Sequence, residues 1–278
     1  MKSDLAAIGA VLLWASLASL GVTLGNIPPL LMTGVGLLVG SLIALPLSGF
    51  QLRKLLVPKR ALFIGVYGLL GFHLALFAAL QLAPAVQANL LNYLWPLLLV
   101  LLAPLFRKTR LRLSHVFAGL LGFAGAAIAI LSSEGDGAKA EYLLGYVFAT
   151  AAAVIWASYS LLSSKLGDLA SYSVGSYASV SGLIAIGMHF VFEAPVQLQA
   201  TDIALLILMG LGPLGGAFYL WDYALKHGNP QRAGIISFAT PVLSTTLLLI
   251  VSGQALTIEI LIAAVLIILA AAIGRSVK

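Results

Sequence analysis

Residues 84–105 read PAVQANLLNYLWPLLLVLLAPL and contain no charged side chain. A helix of about 20 mostly apolar residues crosses the hydrocarbon layer of a bilayer, which is about 30 Å thick. The stretch therefore predicts a membrane-spanning helix that carries polar side chains such as Asn89 and Asn92 into the membrane. A related stretch, PQRAGIISFATPVLSTTLLLIV, lies at residues 230–251 and has prolines at similar places.

The composition extends this prediction to the whole chain. Its 278 residues have a mean hydropathy of +1.09, 61% are apolar and only 9% are charged. Ordinary soluble domains are about 45–50% apolar and about 25% charged. The apolar runs predict ten membrane-spanning helices, at residues 5–24, 29–49, 60–81, 84–105, 114–131, 141–163, 172–191, 202–225, 231–251 and 257–274. These spans leave no room for a soluble enzyme or sensor domain.

The basic residues indicate how these spans are oriented. With ten spans, 14 of the 15 Lys and Arg residues fall on one side of the membrane, and Lys139 alone falls on the other. The positive-inside rule makes the basic side cytoplasmic, so both termini are predicted to be cytoplasmic. The basic loops then face anionic lipid, and no nucleic-acid partner is expected. A cleavable signal peptide is the alternative for the first run, which is long for such a segment.

The second half of the chain repeats features of the first. Trp14-Ala15-Ser16 returns as Trp156-Ala157-Ser158, and residues 84–96 align with residues 230–241. The chain is thus expected to consist of two five-helix repeats, residues 1–135 and 136–278. Because five is odd, the second repeat enters the membrane in the opposite direction. Inverted repeats are typical of secondary transporters, in which the substrate binds near the midplane between the halves.

Three short stretches carry further information: Asn92-Tyr93-Leu94-Trp95-Pro96, residues 221–229 (WDYALKHGN) and residues 237–244 (SFATPVLS). With these stretches and its two repeats, the chain resembles the drug/metabolite transporter superfamily in its ten-span EamA-like branch. These stretches look like the YddG-type aromatic amino-acid exporters of bacterial inner membranes. Gly253-Gln254 departs from the Gly-Glu found in many EamA proteins. The resemblance implies that spans 1, 3, 4, 6, 8 and 9 line a cavity and that spans 2, 5, 7 and 10 pack outside it.

Polar and aromatic side chains within the spans supply the candidate site. Helical spacing places several of them on one face of their helix, where they meet either a cavity or a neighbouring helix. The predicted substrate-binding residues are Trp14, His73, Phe77, Asn89, Asn92, Tyr93, Trp156, Tyr159, Ser160, Ser237 and Ser244. The predicted gating residues are Pro96, Tyr219, Asp222 and Pro241. Pro96 and Pro241 are expected to bend their helices, either as hinges or as static kinks.

His73 is the only ionisable side chain in the middle of a predicted span. Three roles are compatible with this position: carrying a proton, donating a hydrogen bond to a substrate carboxylate, or satisfying a neighbouring group.

The residue types missing from the spans narrow the class of substrate. No span interior carries Lys or Arg, which a carrier of anions would need, and span 1 has no carboxylate of the kind that proton–cation antiporters need. The absence of cysteine excludes disulfides and thiolate metal sites, and neither a cofactor nor a metal is expected. No catalytic motif lies in a span, so an intramembrane enzyme is not expected either. The sequence thus predicts a monomeric inner-membrane transporter that exports aromatic and other neutral amino acids by alternating access. Export of other hydrophobic metabolites or drugs, and a passive channel, are the alternatives.

Overall fold

The computed structural model describes residues 2–95, 97–98, 101–102, 113–131, 138–163, 165–166, 169–227, 236 and 239–276. These residues are mostly helical, and no strand occurs among them, which confirms the predicted all-α class. The helices are α1 (Lys2–Ala15), α2 (Leu17–Thr23), α3 (Pro29–Ser41), α4 (Ala44–Leu47), α5 (Lys59–Leu82), α6 (Ala85–Asn92), α7 (Leu113–Leu131), α8 (Ala138–Glu141), α9 (Leu143–Ser163), α10 (Ser173–Phe192), α11 (Ala200–Leu211), α12 (Ala217–His227), α13 (Ala239–Ser252) and α14 (Ile258–Ser276).

Six helical segments are long and apolar enough to cross a membrane. They are Lys2–Thr23, Pro29–Leu47, Lys59–Leu82, Leu143–Ser163, Ser173–Phe192 and Ala200–Ala224. Three shorter apolar stretches lie in α7, α13 and α14. The protein is therefore a multi-pass membrane protein. The count of ten spans stays a prediction, because much of predicted span 4 lies outside the described residues.

Three of the long segments are interrupted. Pro29–Leu47 breaks at residues 42–43, between α3 and α4. Lys2–Thr23 breaks at Ser16, whose hydroxyl donates a hydrogen bond to the Leu13 carbonyl at 2.7 Å. Ala200–Ala224 contains a π-helical turn at Gly212–Gly216, between α11 and α12, which includes Pro213. Proline and glycine explain this last interruption, because they weaken the regular helical hydrogen bonding.

The helices pack in pairs that are held together by small residues. α5 packs along α9, α3 along α10, and α7 along α14. On α5, a Cβ atom at Gly68 would lie 2.3 Å from the Tyr159 ring, and one at Gly65 would lie 2.2 Å from the Tyr177 ring. Only glycine allows these approaches, and small residues at helix contacts are typical of membrane proteins.

The two ends of the helix bundle differ in their polar contacts. At the end that we call the Gln81 end, the Gln81 amide donates to the carbonyls of Gly25, at 3.2 Å, and Ile27, at 2.8 Å. The Glu193 carboxylate also accepts hydrogen bonds there from the backbone amides of Leu30 and Leu31, at 2.8 and 3.2 Å. The opposite end, which we call the Asp222 end, has a hydrogen bond from Ser171 to the Asp222 carboxylate. Both ends thus carry links between helices that lie far apart in sequence.

Candidate functional site

A cavity of about 270 Å³ lies at the centre of the bundle. Its lining residues come from α1, α2, α5, α6, α9, α12, α13 and the turn after α6. They are Trp14, Leu17, Phe72, His73, Asn92, Tyr93, Trp95, Trp156, Ser160, Phe218, Trp221 and Thr240. The lining helices are those that correspond to predicted spans 1, 3, 4, 6, 8 and 9.

Aromatic rings form a connected wall around this cavity. The Trp156 ring lies between Phe72 and Phe218, with ring centroids 4.9 and 5.8 Å away. Trp14 continues the wall, since its ring lies 5.8 Å from Phe218 and 5.3 Å from Trp221. Centroid distances of 4.5–7 Å are those at which aromatic pairs attract one another. The wall therefore presents a pre-formed aromatic surface to a ligand.

His73 is held in one orientation at the side of this wall. Its Nδ1 lies 2.7 Å from the Leu69 carbonyl, and the side chain is only 1% exposed. Its ring also lies against Phe72 and Phe218, at 5.0 and 6.3 Å between centroids. Because a carbonyl can only accept, Nδ1 must be the protonated nitrogen of this hydrogen bond.

Two asparagines one turn apart on α6 have different surroundings. Asn92 lines the cavity, and its Oδ1 is buried without a hydrogen-bond partner among the described residues. Asn89 lies outside the lining, and its Nδ2 donates to the Ser244 hydroxyl of α13 at 3.0 Å. Ser244 also interacts with the hydroxyl of Tyr93. Asn89 and Ser244 thus join α6 to α13 beside the cavity.

Two further predicted site residues support the aromatic wall from behind. Phe77 is buried, with its ring 6.1 Å from that of His73. Tyr159 lies 5.4 Å from Trp156 and packs against Gly68. Ser160 does line the cavity, but its hydroxyl donates to the Trp156 carbonyl at 2.7 Å.

The predicted gating residues that the structure describes are not among the residues that line the cavity. Tyr219 is buried, and its hydroxyl lies near Gly175, where an added Cβ would be 3.1 Å away. Asp222 accepts the hydrogen bond from Ser171 described above. Pro241 is buried near the start of α13. Pro96 and Ser237 lie outside the described residues.

Several lining residues were not predicted from the sequence. They are Leu17, Phe72, Trp95, Phe218, Trp221 and Thr240. The repeat contains a signal for two of them. Phe72 lies 12 residues before Pro84, and Phe218 lies 12 residues before Pro230. The aligned halves thus place a phenylalanine at the same point of each repeat.

The cavity is closed toward the Gln81 end. Several residues in that half of the central helices are buried, including Leu24, Phe77, Leu80, Leu90 and Leu248. The cavity-lining rings of Trp14, Trp156, Phe218 and Trp221 are instead half-buried. In the part of the chain that the structure describes, these buried side chains lie between the cavity and the Gln81 end.

The described lining residues carry no permanently charged side chain. Likewise, no group of three or more His, Cys, Asp or Glu residues that could hold a metal ion occurs within the described ranges. The chemistry that this cavity offers is aromatic contact with a few neutral hydrogen-bonding groups. Pockets of this kind hold small molecules, with the polar groups fixing their orientation.

A central, ligand-sized cavity within a multi-pass helical bundle is the architecture of membrane transporters. The chain belongs to the EamA-like transporter family, whose sequence profile matches residues 1–131 and 143–274. This confirms the resemblance that the sequence motifs indicated.

Similar proteins match nearly the whole chain. One is the aromatic amino acid exporter YddG of Ancylobacter novellus, 35% identical, with 95% of this chain and 94% of that protein covered. Another is the aromatic amino acid exporter YddG of Escherichia coli, 25% identical, with 88% of this chain and 87% of that protein covered. A solved crystal structure superimposes with a TM-score of 0.76 at 34% identity, covering 99% of this chain and 96% of that one.

Proposed function

We propose that this protein exports aromatic and other neutral amino acids across the bacterial inner membrane. The aromatic wall around Trp156 is the observation that carries the proposal. The cavity volume of about 270 Å³ lies near the lower end of the ~300–1,000 Å³ range of small-molecule pockets. An aromatic side chain would stack on the wall while the polar groups contact its backbone end. The names of the relatives from Ancylobacter novellus and Escherichia coli support the same substrate class.

The proposed topology has ten spans in two inverted repeats, with both termini in the cytoplasm. The basic loops support this orientation, and the two separate family matches, residues 1–131 and 143–274, support the repeats. Helix pairing adds further support. α5 packs on α9 as α1 packs on α12, and α6 packs on α9 as α1 packs on α13. An inverted repeat would relate each of these pairs to the other.

In this topology the Gln81 end faces the periplasm and the Asp222 end faces the cytoplasm. The buried residues at the Gln81 end, which we call the closed layer, then close the route to the periplasm. They are Leu24, Phe77, Leu80, Asn89, Leu90, Ser244 and Leu248. We propose that transport proceeds by alternating access in a single chain, with this layer opening as the cytoplasmic side closes. The Asn89–Ser244 hydrogen bond would break during that step, because it joins α6 to α13 within the closed layer.

Counterflow in proteoliposomes tests the proposal. Vesicles loaded with unlabelled tryptophan, phenylalanine or tyrosine should accumulate labelled tryptophan transiently, and uptake should saturate. Arginine and glutamate should not compete, because the described lining offers no charged partner. Non-saturating flux without counterflow would indicate a channel. Strong preference for an organic cation without an aromatic ring, or for a dianion, would contradict the proposed substrate class.

A further inference from the structure

We propose that the cavity recognises the ammonium group of its substrate, through His73 Nε2 and Asn92 Oδ1, and does not depend on the carboxylate. Aromatic amines that lack a carboxylate are then ligands, whereas aromatic acids that lack an amine are not. This inference rests on the proposed function, because it concerns the same cavity. It replaces one role that the sequence left open for His73, donation to a substrate carboxylate.

The hydrogen bond of His73 fixes which ring nitrogen is available to a ligand. Nδ1 carries the proton that it donates to Leu69, 2.7 Å away. In neutral imidazole the other nitrogen has no proton, so Nε2 is an acceptor. The neutral form is favoured here, because the ring is buried among Phe72, Phe77 and Phe218 and burial of an unpaired charge is costly. His73 also makes no second hydrogen bond within the described part of the chain.

Asn92 supplies the second acceptor. Its Oδ1 is buried, lacks a hydrogen-bond partner among the described residues, and belongs to a side chain that lines the same cavity. A buried acceptor without a partner is destabilising, and a ligand that donates to it removes that cost. An ammonium group has three donors and no acceptor, so it can serve both His73 and Asn92.

The aromatic wall favours the same group. Cations are attracted to the faces of tryptophan and phenylalanine rings, and cages of such rings recognise ammonium ligands. Phe72 and Phe218 lie against His73, and both also lie against Trp156. A carboxylate would gain no ion pair with the described lining, which contains neither Lys nor Arg. The rings nearest His73, Phe72 and Phe218, can therefore face the ammonium group together with the two acceptors, while the rest of the wall takes the aromatic side chain.

Three indole compounds separate the two ends of the substrate. Tryptophan carries both groups, tryptamine only the ammonium, and indole-3-propionate only the carboxylate. Their affinities are measured on the purified full-length protein by calorimetry and by competition with labelled tryptophan. We expect tryptamine to bind at least about tenfold more tightly than indole-3-propionate, since hydrogen bonds to charged groups contribute about 1.5–3 kcal/mol. Equal affinities, or the reverse order, would overturn the inference.

The same series distinguishes this inference from the proposed function. If the protein transports tryptophan but binds indole-3-propionate more tightly than tryptamine, amino-acid export is supported and recognition of the ammonium group is wrong. Binding of tryptamine without transport of tryptophan supports ammonium recognition and contradicts amino-acid export. If none of the three compounds binds, both proposals are wrong.

Two matched variants locate the effect. Asn92→Asp puts a carboxylate at the cavity and should raise the tryptamine to indole-3-propionate affinity ratio at least about tenfold. Asn89→Asp puts the same charge one turn away, outside the lining, and should leave the ratio within about twofold. A ratio that does not rise in Asn92→Asp, or that rises equally in both variants, would show that Asn92 does not face the ammonium. The wild-type series above decides the inference even if either variant fails to fold.

Discussion

Two neighbouring layers of the bundle use the same kind of side chain in different ways. The cavity layer contains Asn92, whose carbonyl has no described partner. The closed layer, one turn along α6, contains Asn89, which is hydrogen-bonded to Ser244. Both asparagines are almost fully buried, at 5% and 1% exposure. Burial and residue type therefore do not distinguish a candidate binding residue from a structural one. The two asparagines differ instead in whether their side chain already has a hydrogen-bond partner within the protein.

The layers also differ in the residues around their asparagine. Large rings surround Asn92, and they leave a cavity that is not filled by side chains. The layer that contains Asn89 instead includes buried leucines such as Leu90 and Leu248. Substitutions in the cavity layer should therefore change substrate binding, and those in the closed layer should change the balance between conformations.

The largest effect is expected from Trp156→Ala in the cavity layer. Trp156 contacts Phe72, Tyr159 and Phe218, so its loss removes the middle of the aromatic wall. Trp156 is half-buried, and its ring would carry the stacking contact with the substrate, so we expect tryptophan transport to fall at least about tenfold. Tyr142→Ala is the control, because Tyr142 pairs with Tyr146 outside the cavity. Similar transport by the two variants in proteoliposomes would show that the wall is not the binding surface.

A stability comparison between two glycines tests how rigidly the wall is supported. Gly68→Ala would place Cβ 2.3 Å from the Tyr159 ring, which supports Trp156, whereas a Cβ at Gly187 has nothing within 4 Å. We expect Gly68→Ala to destabilise the protein by about 1–3 kcal/mol, as overpacking does. Gly187→Ala should be neutral or slightly stabilising, because alanine favours helices. Thermal unfolding in detergent measures both, and equal midpoints would contradict the close approach of α5 and α9.

A smaller effect is expected from Ser244→Ala in the closed layer. The change leaves the Asn89 amide buried without its partner, at a cost of about 1–3 kcal/mol. We expect the Gln81 end to open more often. The protein has no cysteine, so a single Leu248→Cys reports opening by its labelling rate.

The labelling rate should rise at least about fivefold in Ser244→Ala, since 1.4 kcal/mol corresponds to a factor of ten. Thr246→Ala is the control, because Thr246 lies on the same helix but is exposed. A labelling rate unchanged from that of the control would mean that the hydrogen bond does not stabilise the closed layer.

The smallest effect is expected from Gln81→Leu, at the surface of the same end. Gln81 donates to two loop carbonyls, but it is exposed, and water can replace its amide. We expect a labelling change at Leu248→Cys of less than about twofold. A change in labelling rate as large as that of Ser244→Ala would show that the Gly25–Ile27 loop, and not the closed layer, mainly keeps this end closed.

The sequence predicted the membrane class and the family, because both depend on patterns that survive without tertiary structure. Apolar runs and short motifs such as Asn92-Tyr93-Leu94-Trp95-Pro96 are visible in one dimension. Of the predicted binding residues, Trp14, His73, Asn92, Tyr93, Trp156 and Ser160 lie together at the cavity.

The remaining site residues depended on information that periodicity does not contain. Asn89 and Asn92 share one face of α6, but Ser244 on a helix far along the chain pairs with only one of them. In the sequence, Phe72 and Phe218 resemble other apolar residues of their spans. Only the packing of the helices shows that both rings lie against Trp156. The orientation of the His73 ring likewise follows from the Leu69 carbonyl, and spacing alone left three roles open.

The hydrogen bonds between Glu193 and the start of α3 have a consequence for how the protein assembles while it is being synthesised. The Glu193 carboxylate accepts hydrogen bonds from the backbone amides of Leu30 and Leu31, which lie 163 and 162 residues earlier in the chain. A ribosome adds about 5–20 residues per second, so these amides are made about 10–30 seconds before their partner. During that interval the backbone amides of Leu30 and Leu31 must donate their hydrogen bonds to water or to lipid head groups. The first half of the protein is therefore made before the acceptor for these two amides exists, and synthesis of the second half supplies it as Glu193.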